Sequence, residues 1–437
     1  MRETDTPPSP DTSPLRIANF RAYWVSRLSM TLAQYAMMLI IGWQTYNIAR
    51  DAGMGVAEAS GQLALIGLLQ FVPLFILTPF SGWAADHFDR RNLGRLTVFL
   101  QLCCAALLAW LTWSATLSLS WIFLVAILLG IARAFAGPAL SALAPNLVPK
   151  AILPNAIALS SISWQVGMIV GPAVGGYFYA IAPALPYAVA SVLFIVSMTA
   201  LSFIGKMPQP PREANKRPIH QMVEGLRYVV RNKMVLGAIT LDLFAVFLAG
   251  ATALFPVYAR DILDVGETGL AQLAMAPAIG AALTALWFSF RPLQNNVGPK
   301  MLWAVAIFGA ATIVFGLSTS MPLSLAMLFI VGAADMFSVY IRQSLIQLHT
   351  PDDKRGRVSS VSLLTISASN EFGDFFSGSL AYAIGPVAAV VGGGGGAILT
   401  VALWSKIFPV LRSTRTFDPP EELQEDTPTG KLQEQTP

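Results

Sequence analysis

Twelve long apolar runs most constrain what this chain can fold into. They lie at 21–48, 61–85, 95–116, 120–143, 155–181, 184–205, 233–258, 269–290, 299–318, 322–346, 358–382 and 386–408. Runs of about 20 residues can cross a hydrocarbon core as helices, and an open strand edge finds no hydrogen-bond partner in lipid. The chain is 55% hydrophobic and only 12% charged, against roughly 25% charged in soluble domains, which excludes an ordinary soluble enzyme. We therefore expect an all-α integral membrane protein with twelve transmembrane helices.

Basic residues are distributed unequally between the two ends of these runs. Of the 28 Lys and Arg residues, 23 fall on the side of Asp86, only Arg50 and Arg260 fall on the other, and three lie within runs. Since cytoplasmic loops carry the excess of Lys and Arg, the segment at Asp86 and both termini are expected in the cytoplasm. We expect a multi-pass protein of the bacterial inner membrane, with the bilayer as its surroundings.

Composition divides the chain into five segments. Polar, proline-rich or acidic stretches at 1–18 and 411–437 are expected to be disordered cytoplasmic tails. The six-span halves 19–205 and 233–410 flank a polar linker at 206–232. Within this linker, apolar residues recur at helical spacing from Ile219 to Val230, which predicts an amphipathic surface helix.

The two halves repeat at an offset of 202 residues. This offset pairs Gly130 with Gly332 and Gly171 with Gly373, together with Phe135–Phe337, Pro149–Pro351, Ser160–Ser362 and Gly176–Gly378. The repeat indicates two parallel six-helix halves, an arrangement typical of transporters with a midplane site between repeats.

Three charged or small-residue strings carry a family resemblance. The first is G82-W-A-A-D-H-F-D-R-R-N-L-G-R95, with Gly82, Asp86, Arg90 and Arg91 at the spacing of the signature between spans 2 and 3 of the major facilitator superfamily. His87 and Asp89 depart from that signature. The acidic residue Asp89 resembles the form that this signature takes in the branch of enterobactin and macrolide exporters. The second string, T350-P-D-D-K-R-G-R357, is similar to a string of the same branch. The resemblance implies a secondary transporter in which Arg355, Gly356 and Arg357 meet the segment at Asp86 as a conformational latch; a plain solvated turn is the alternative.

The third string, G167-M-I-V-G-P-A-V-G-G176, lies in span 5. Small residues let helices approach closely, and a proline bends a helix, so Gly167, Gly171, Pro172, Gly175 and Gly176 could serve packing alone. Their pattern also resembles the motif of the antiporter subgroup, which implies export in exchange for protons.

Ionisable side chains inside spans are costly and need a reason. The proton-coupling candidates are Asp242, Asp335, Glu371, Asp374 and Arg133. Asp242 is expected to be a lone carboxylate in span 7, either a proton carrier or a structural hydrogen-bond partner. Arg133 and Asp335 stand at equivalent positions of spans 4 and 10 and form either a cross-half ion pair that breaks during transport or a static one. Arg342 is expected to extend to the membrane interface.

Spans 1 and 7 also offer aromatic and amide side chains for a substrate cavity. The candidates are Gln34, Tyr35, Trp43, Gln44, Tyr46, Phe244 and Phe247, with packing as the alternative for each. Such a lining suits an amphipathic, ring-containing small molecule.

Other classes of function lack their residues in this sequence. The three histidines are far apart and the two cysteines are adjacent, so we expect no metal site and no long-range disulfide. No G-x-x-x-x-G-K-[ST] string is present, so transport would not use ATP through such a loop, and we expect no cofactor and no nucleic acid. We expect a monomeric, proton-coupled exporter of a siderophore or drug; a proton-independent facilitator or importer, or a non-transporting sensor, are the alternatives.

Overall fold

Long helices make up the fold, and the described part of the chain contains no strand. The computed structural model describes residues 13–141, 143, 146–149, 152–205, 218–291 and 293–417. The helices are α1 (Ala18–Asp51), α2 (Val56–His87), α3 (Arg90–Trp113), α4 (Leu119–Ser141), α5 (Leu153–Ile181), α6 (Leu185–Phe203), α7 (Pro218–Arg231), α8 (Lys233–Ala249), α9 (Phe255–Val257), α10 (Gly266–Phe290), α11 (Val297–Leu317), α12 (Met321–Leu348), α13 (Asp352–Ile384), α14 (Pro386–Ile407) and α15 (Pro409–Ser413). The predicted tails at 1–12 and 418–437, and the linker residues 206–217, lie outside the described residues.

Eleven segments of the described chain are long and apolar enough to cross a membrane, and each matches a predicted span. The remaining predicted span, the eleventh at 358–382, corresponds to α13, which is 33 residues long. Charged residues at its start, together with Asp374 and many serines, lower its hydropathy. The prediction of an all-α membrane protein is confirmed.

The chain divides into two compact units, the first comprising Met1–Asn215 and Phe255–Met275. In this unit α1 packs against α5 and α6, α3 packs against α4 and α6, and α2 packs against α4. Its core contains the fully buried side chains of Phe20, Ile40, Leu108 and Phe194.

The second unit comprises Lys216–Leu254 and Ala276–Pro437. Here α8 packs against α13 and α14, and α11 packs against α12 and α14, which repeats the neighbours of α1 and α3 in the first unit. Glycines at two of the predicted repeat positions allow an equivalent close approach of helices in each unit. A Cβ on Gly130 would collide with the carbonyl of Gln70 on α2, and one on Gly332 with that of Pro277 on α10. The two six-helix repeats are thus visible in the packing.

The seventh span is interrupted, although the sequence predicted one continuous helix. It comprises α8, a 3-10 turn at Thr252–Leu254, α9 and a π-helical turn at Tyr258–Ile262. Gly250 ends α8, and Pro256 offers no N–H to continue a regular ladder, so the interruption has a local cause. The division between the two units falls here, between Leu254 and Phe255.

Candidate functional site

A buried ion pair joins α8 to α12 inside the second unit. The Asp242 carboxylate bonds the Arg342 guanidinium, and the two side chains are 8% and 3% exposed. Two predictions are therefore wrong: Asp242 is not a lone carboxylate, and Arg342 does not extend to the interface. The start of α8 is fixed by Asn232, which accepts hydrogen bonds from the N–H groups of Met234 and Val235, both at 3.1 Å. The electrostatic cost of each buried charge is offset by the other.

A second carboxylate lies beside this pair. Asp335, Ser338 and Arg342 recur at helical spacing on α12, so they share one face of that helix. Asp242, Asp335 and Ser338 line one cavity with Ala245, Val246, Val305, Phe308 and Ala334. Within the described residues, no hydrogen bond or ion pair reaches the half-buried Asp335 carboxylate. Two carboxylates thus line this cavity, and one of them is paired with the Arg342 guanidinium, which leaves one excess negative charge when all three groups are ionised.

The cavity is small. Its volume is about 10 Å³, room for about one water molecule. Pockets for drug-sized ligands occupy about 300–1,000 Å³, so this one suits water and protons better than a substrate.

The other carboxylates predicted in span 11 lie on α13. Asp374 accepts a hydrogen bond of 3.1 Å from the Thr252 hydroxyl, which belongs to the interruption of the seventh span. The next residue back, Gly373, faces the backbone of Val246 and Phe247 on α8. The side chain of Glu371 lies outside the described residues. Asp374 is therefore placed at the point where the helix break begins.

Arg133 belongs to the first unit, where it donates to the Gln70 side-chain carbonyl at 3.3 Å. Gln70 is 7% exposed and lies on α2. Gln70 thus supplies an amide partner to Arg133 from a neighbouring helix, which the sequence did not suggest. The cross-half pair of Arg133 with Asp335 stays a prediction.

The span-5 glycines lie where α5 meets its neighbours, and α5 continues through Pro172. A Cβ on Gly171 would come within 2.6 Å of the Tyr35 Cβ, and one on Gly175 within 2.9 Å of the Ala36 carbonyl. Gly167 abuts Thr31 in the same way, and Gly176 abuts Ala271 and the Glu267 carbonyl. These glycines therefore serve close helix packing; whether they also serve antiport stays a prediction.

The predicted latch segment at Asp86 is followed by a helix cap that the sequence analysis did not predict. Asp89 caps α3 by accepting from the Arg91 N–H at 3.0 Å, and it pairs with the Arg91 guanidinium at 2.6 Å. These bonds hold the pKa of the Asp89 carboxyl below its usual range. Arg91 also donates to the Ile204 carbonyl at 2.9 Å, and Arg90 is the first residue of α3. The side chain of Asp86 and the surroundings of Gly82 lie outside the described residues.

The other predicted latch segment, Arg355 to Arg357, lies near the start of α13. Arg357 pairs with Glu224 of α7 at 2.8 Å, and Arg355 donates to the Gln347 carbonyl at 3.1 Å. The surroundings of Gly356 lie outside the described residues. Arg357 thus has a partner in its own unit, which the sequence did not suggest, and its pairing with the segment at Asp86 stays a prediction.

Three of the predicted substrate contacts are buried in α1. Trp43, Gln44 and Tyr46 are 4%, 5% and 0% exposed. Gln44 accepts from the Tyr187 hydroxyl at 2.8 Å, and the Tyr46 hydroxyl donates to the Asp261 carboxylate. These bonds give the two side chains structural roles.

The other four candidates are more accessible. Gln34 donates to the Gln101 side chain at 2.6 Å, and the Tyr35 ring meets that of Trp164 edge to face. In the second unit, Phe244 is 40% exposed beside Trp404, and Phe247 stacks on Phe372 with centroids 5.5 Å apart. These four, rather than the buried three, keep surface that a ligand can reach.

Sequence reasoning missed a reciprocal ion-pair cluster in the first unit. Arg50 pairs with Asp261 at 3.1 Å, and Arg260 pairs with Asp51 at 2.7 Å. Arg260 also donates to the Asn47 side chain at 2.6 Å. A signal was present, because Ala-Arg-Asp occurs twice, at 49–51 and 259–261. These are also the two arginines that the charge count assigned to the far side of the membrane.

Comparison with known proteins identifies relatives of this architecture. The sequence profile of the Major Facilitator Superfamily matches residues 22–373. The enterobactin exporter EntS of Escherichia coli O1:K1 / APEC is 25% identical over 417 residues, which cover 93% of this chain and 95% of that protein.

Solved structures share the fold. A bacterial homolog of the human lysosomal transporter Spinster, in an inward-facing and unoccupied conformation, matches with a TM-score of 0.68 and 17% identity over 91% of this chain and 99% of that one. A D-xylose-proton symporter matches with a TM-score of 0.68 and 13% identity over 90% of this chain and 98% of that one.

Proposed function

Because the chain belongs to the Major Facilitator Superfamily, a family of membrane transporters, we propose that it exports a small amphipathic molecule in exchange for protons. Its relatives and its apolar helices make it a multi-pass protein of the bacterial inner membrane. The name of its curated relatives, enterobactin exporter, supports outward transport and a siderophore-like substrate. The excess of basic residues at one face supports cytoplasmic termini.

The observation that supports proton coupling is the buried Asp242–Arg342 pair with the half-buried Asp335 at the same cavity as Asp242. Protonation of Asp242 removes the negative partner of a buried guanidinium. Loss of one partner in such a pair costs about 3–5 kcal/mol. The protonated and deprotonated forms therefore favour different packing of α8 against α12, which gives the second unit two states that proton binding can bias.

Asp335 gives the guanidinium a second possible partner. It lies on the same face of α12 as Arg342, about two turns away, and it borders the same cavity as Asp242. In the conformation favoured when Asp242 is neutral, the Arg342 side chain shifts toward Asp335, which recovers only part of the lost electrostatic stabilisation. In this proposal the proton binds at the small cavity, while the larger substrate binds elsewhere, near accessible aromatic side chains such as Phe244 and Phe247.

The segments around Asp86 and Arg357 are proposed to latch one conformational state. Cysteines introduced near these two residues in a cysteine-free background should cross-link in one state only. A pair that never reacts under any condition removes the latch from the account.

The experiment uses purified protein in liposomes that hold a trapped pH dye. Catechol siderophores, macrolides and lipophilic cations are added outside in turn. Antiport predicts that one class enters while protons leave, so the interior becomes more alkaline. Substrate flux without any pH signal would support a transport function but refute proton exchange. Binding without flux for every compound would favour a sensor.

A further inference from the structure

Helix α7 presents an exposed apolar stripe, although part of the helix is packed. Val229 is 2% exposed and belongs to a small core with Val235 and Ile346. In contrast, Val223, Leu226 and Val230 are 45%, 51% and 57% exposed. Their spacing places these three side chains on one side of the helix. A packed helix that leaves such a stripe open has a face suited to a membrane interface.

Basic residues adjoin this stripe. Arg227 and Arg231 each follow a residue of the stripe by one position, so they lie on the neighbouring side of α7. They line a cleft with Glu224, Tyr228, Asn232 and Lys354. The volume of this cleft is about 550 Å³. It is large enough for a charged headgroup.

The charge of the cleft is strongly positive. Its one described carboxylate, Glu224, is already paired with Arg357 at 2.8 Å. Within the described residues, Arg227 and Arg231 have no hydrogen bond or ion pair from their side chains. With Lys354 and Arg357 included, four basic groups and one carboxylate give the described side chains a net charge of +3.

Tyr228 holds the cleft in shape. Its hydroxyl donates to the His349 carbonyl at 2.9 Å, and the Lys354 ammonium lies over its ring, 5.4 Å from the centroid. A Cβ on Gly225 would come within 2.8 Å of the Arg357 carbonyl, so α7 and α13 are in close contact. The basic groups are therefore presented by two packed helices rather than by a loose loop.

The cleft lies at the end of membrane spans. Arg231 and Asn232 directly precede Lys233, the first residue of α8, and Lys354 follows the end of α12 at Leu348 within a few residues. Lipid headgroups occupy this level of the bilayer. Anionic phospholipids attract basic side chains there, and guanidinium groups bind phosphate through paired hydrogen bonds.

We propose that this cleft binds the phosphate of an anionic phospholipid. Arg227, Arg231 and Lys354 surround the phosphate, and the acyl chains lie along Val223, Leu226 and Val230. The charge of the cleft and the adjoining apolar stripe select a lipid over a soluble anion. This inference does not depend on the direction of transport or on its coupling to protons.

The test measures phospholipid binding to the full chain in a neutral detergent by native mass spectrometry. Dioleoyl phosphatidylglycerol is titrated against dioleoyl phosphatidylcholine. The variant is the double substitution Arg227→Gln with Arg231→Gln. The matched control is Arg16→Gln with Arg21→Gln, which removes two exposed arginines elsewhere in the chain. Thermal unfolding of each variant checks that it is folded.

We expect phosphatidylglycerol to bind the wild type and the control in preference to phosphatidylcholine. The Arg227 and Arg231 double variant should bind it about 30-fold more weakly. Leu226→Ser with Val230→Ser should also weaken binding, because the acyl chains lose apolar contact. Equal binding to the arginine variant and the control overturns the proposal. If inorganic phosphate raises the unfolding temperature as much as phosphatidylglycerol does, the proposal of a lipid ligand is overturned and the cleft is assigned to a soluble anion.

Discussion

The substitution Asp242→Asn should destabilise the second unit by an amount that the structure sets. The Arg342 side chain is 3% exposed, so the variant leaves a buried guanidinium without its anionic partner. Loss of one member of a buried pair costs about 3–5 kcal/mol. Arg342→Gln leaves Asp242 buried instead and should cost a similar amount. The double variant leaves no buried charge from the pair and should be more stable than either single variant.

The assay is unfolding of the purified protein in detergent, followed by tryptophan fluorescence at neutral pH. The pair Arg260–Asp51 provides the contrast, because its side chains are 31% and 68% exposed. Exposed pairs contribute about 0.2–1 kcal/mol, so Asp51→Asn should change stability little. A loss below about 1 kcal/mol for Asp242→Asn would contradict this prediction, since an unpaired buried guanidinium cannot cost so little. A double variant less stable than both single variants would refute it too.

Two further predictions concern packing and pH. Gly171→Leu should cost several kcal/mol or prevent folding, because its Cβ would meet the Tyr35 Cβ at 2.6 Å. Gly392→Leu should be tolerated, because nothing lies within 4 Å of a Cβ at that position. Equal unfolding temperatures for the two variants would contradict the close contact of α5 with α1. His349 is buried at the end of α12, and burial lowers the pKa of its imidazole from 6.5, partly opposed by a hydrogen bond to the Leu345 carbonyl. The unfolded chain therefore binds more protons than the folded chain just below pH 6.5, so stability should fall with acidification there and level off above it. His349→Gln should flatten this part of the curve of unfolding temperature against pH; an unchanged curve would assign the effect to other groups.

The sequence predicted the helices and the repeat because both follow from local pattern. Apolar runs of sufficient length specify membrane helices whatever they pack against. The glycines at 130 and 332 mark equivalent close approaches in the two units, so the offset of 202 residues had a packing cause. The interruption after α8 was missed, although Gly250 and Pro256 are its local signals.

The candidate site was only partly predictable, because its partners are distant in sequence. Asp242 and Arg342 are 100 positions apart, and spacing cannot reveal which face of α12 meets α8. The same holds for Gln70, which supplies an amide to Arg133 from another helix. Gln44 and Tyr46 were chosen as ligand contacts by residue type, whereas the structure buries both in internal hydrogen bonds. Residue type indicates what a group can do, but burial and partners decide whether it can do so.

Transport driven by an imposed pH difference in proteoliposomes is the most direct test of proton exchange at the Asp242–Arg342–Asp335 cluster. Flux of the identified substrate is compared for the wild type, Asp242→Asn, Asp335→Asn and Asp264→Asn. Asp264 is exposed, has a positive φ of 52° that asparagine also adopts, and serves as the control. The variants of Asp242 and Asp335 should bind substrate but lose flux driven by the pH difference, while the control should behave as the wild type. Full pH-driven flux in a folded double variant of Asp242 and Asp335 would exclude these two carboxylates from proton coupling.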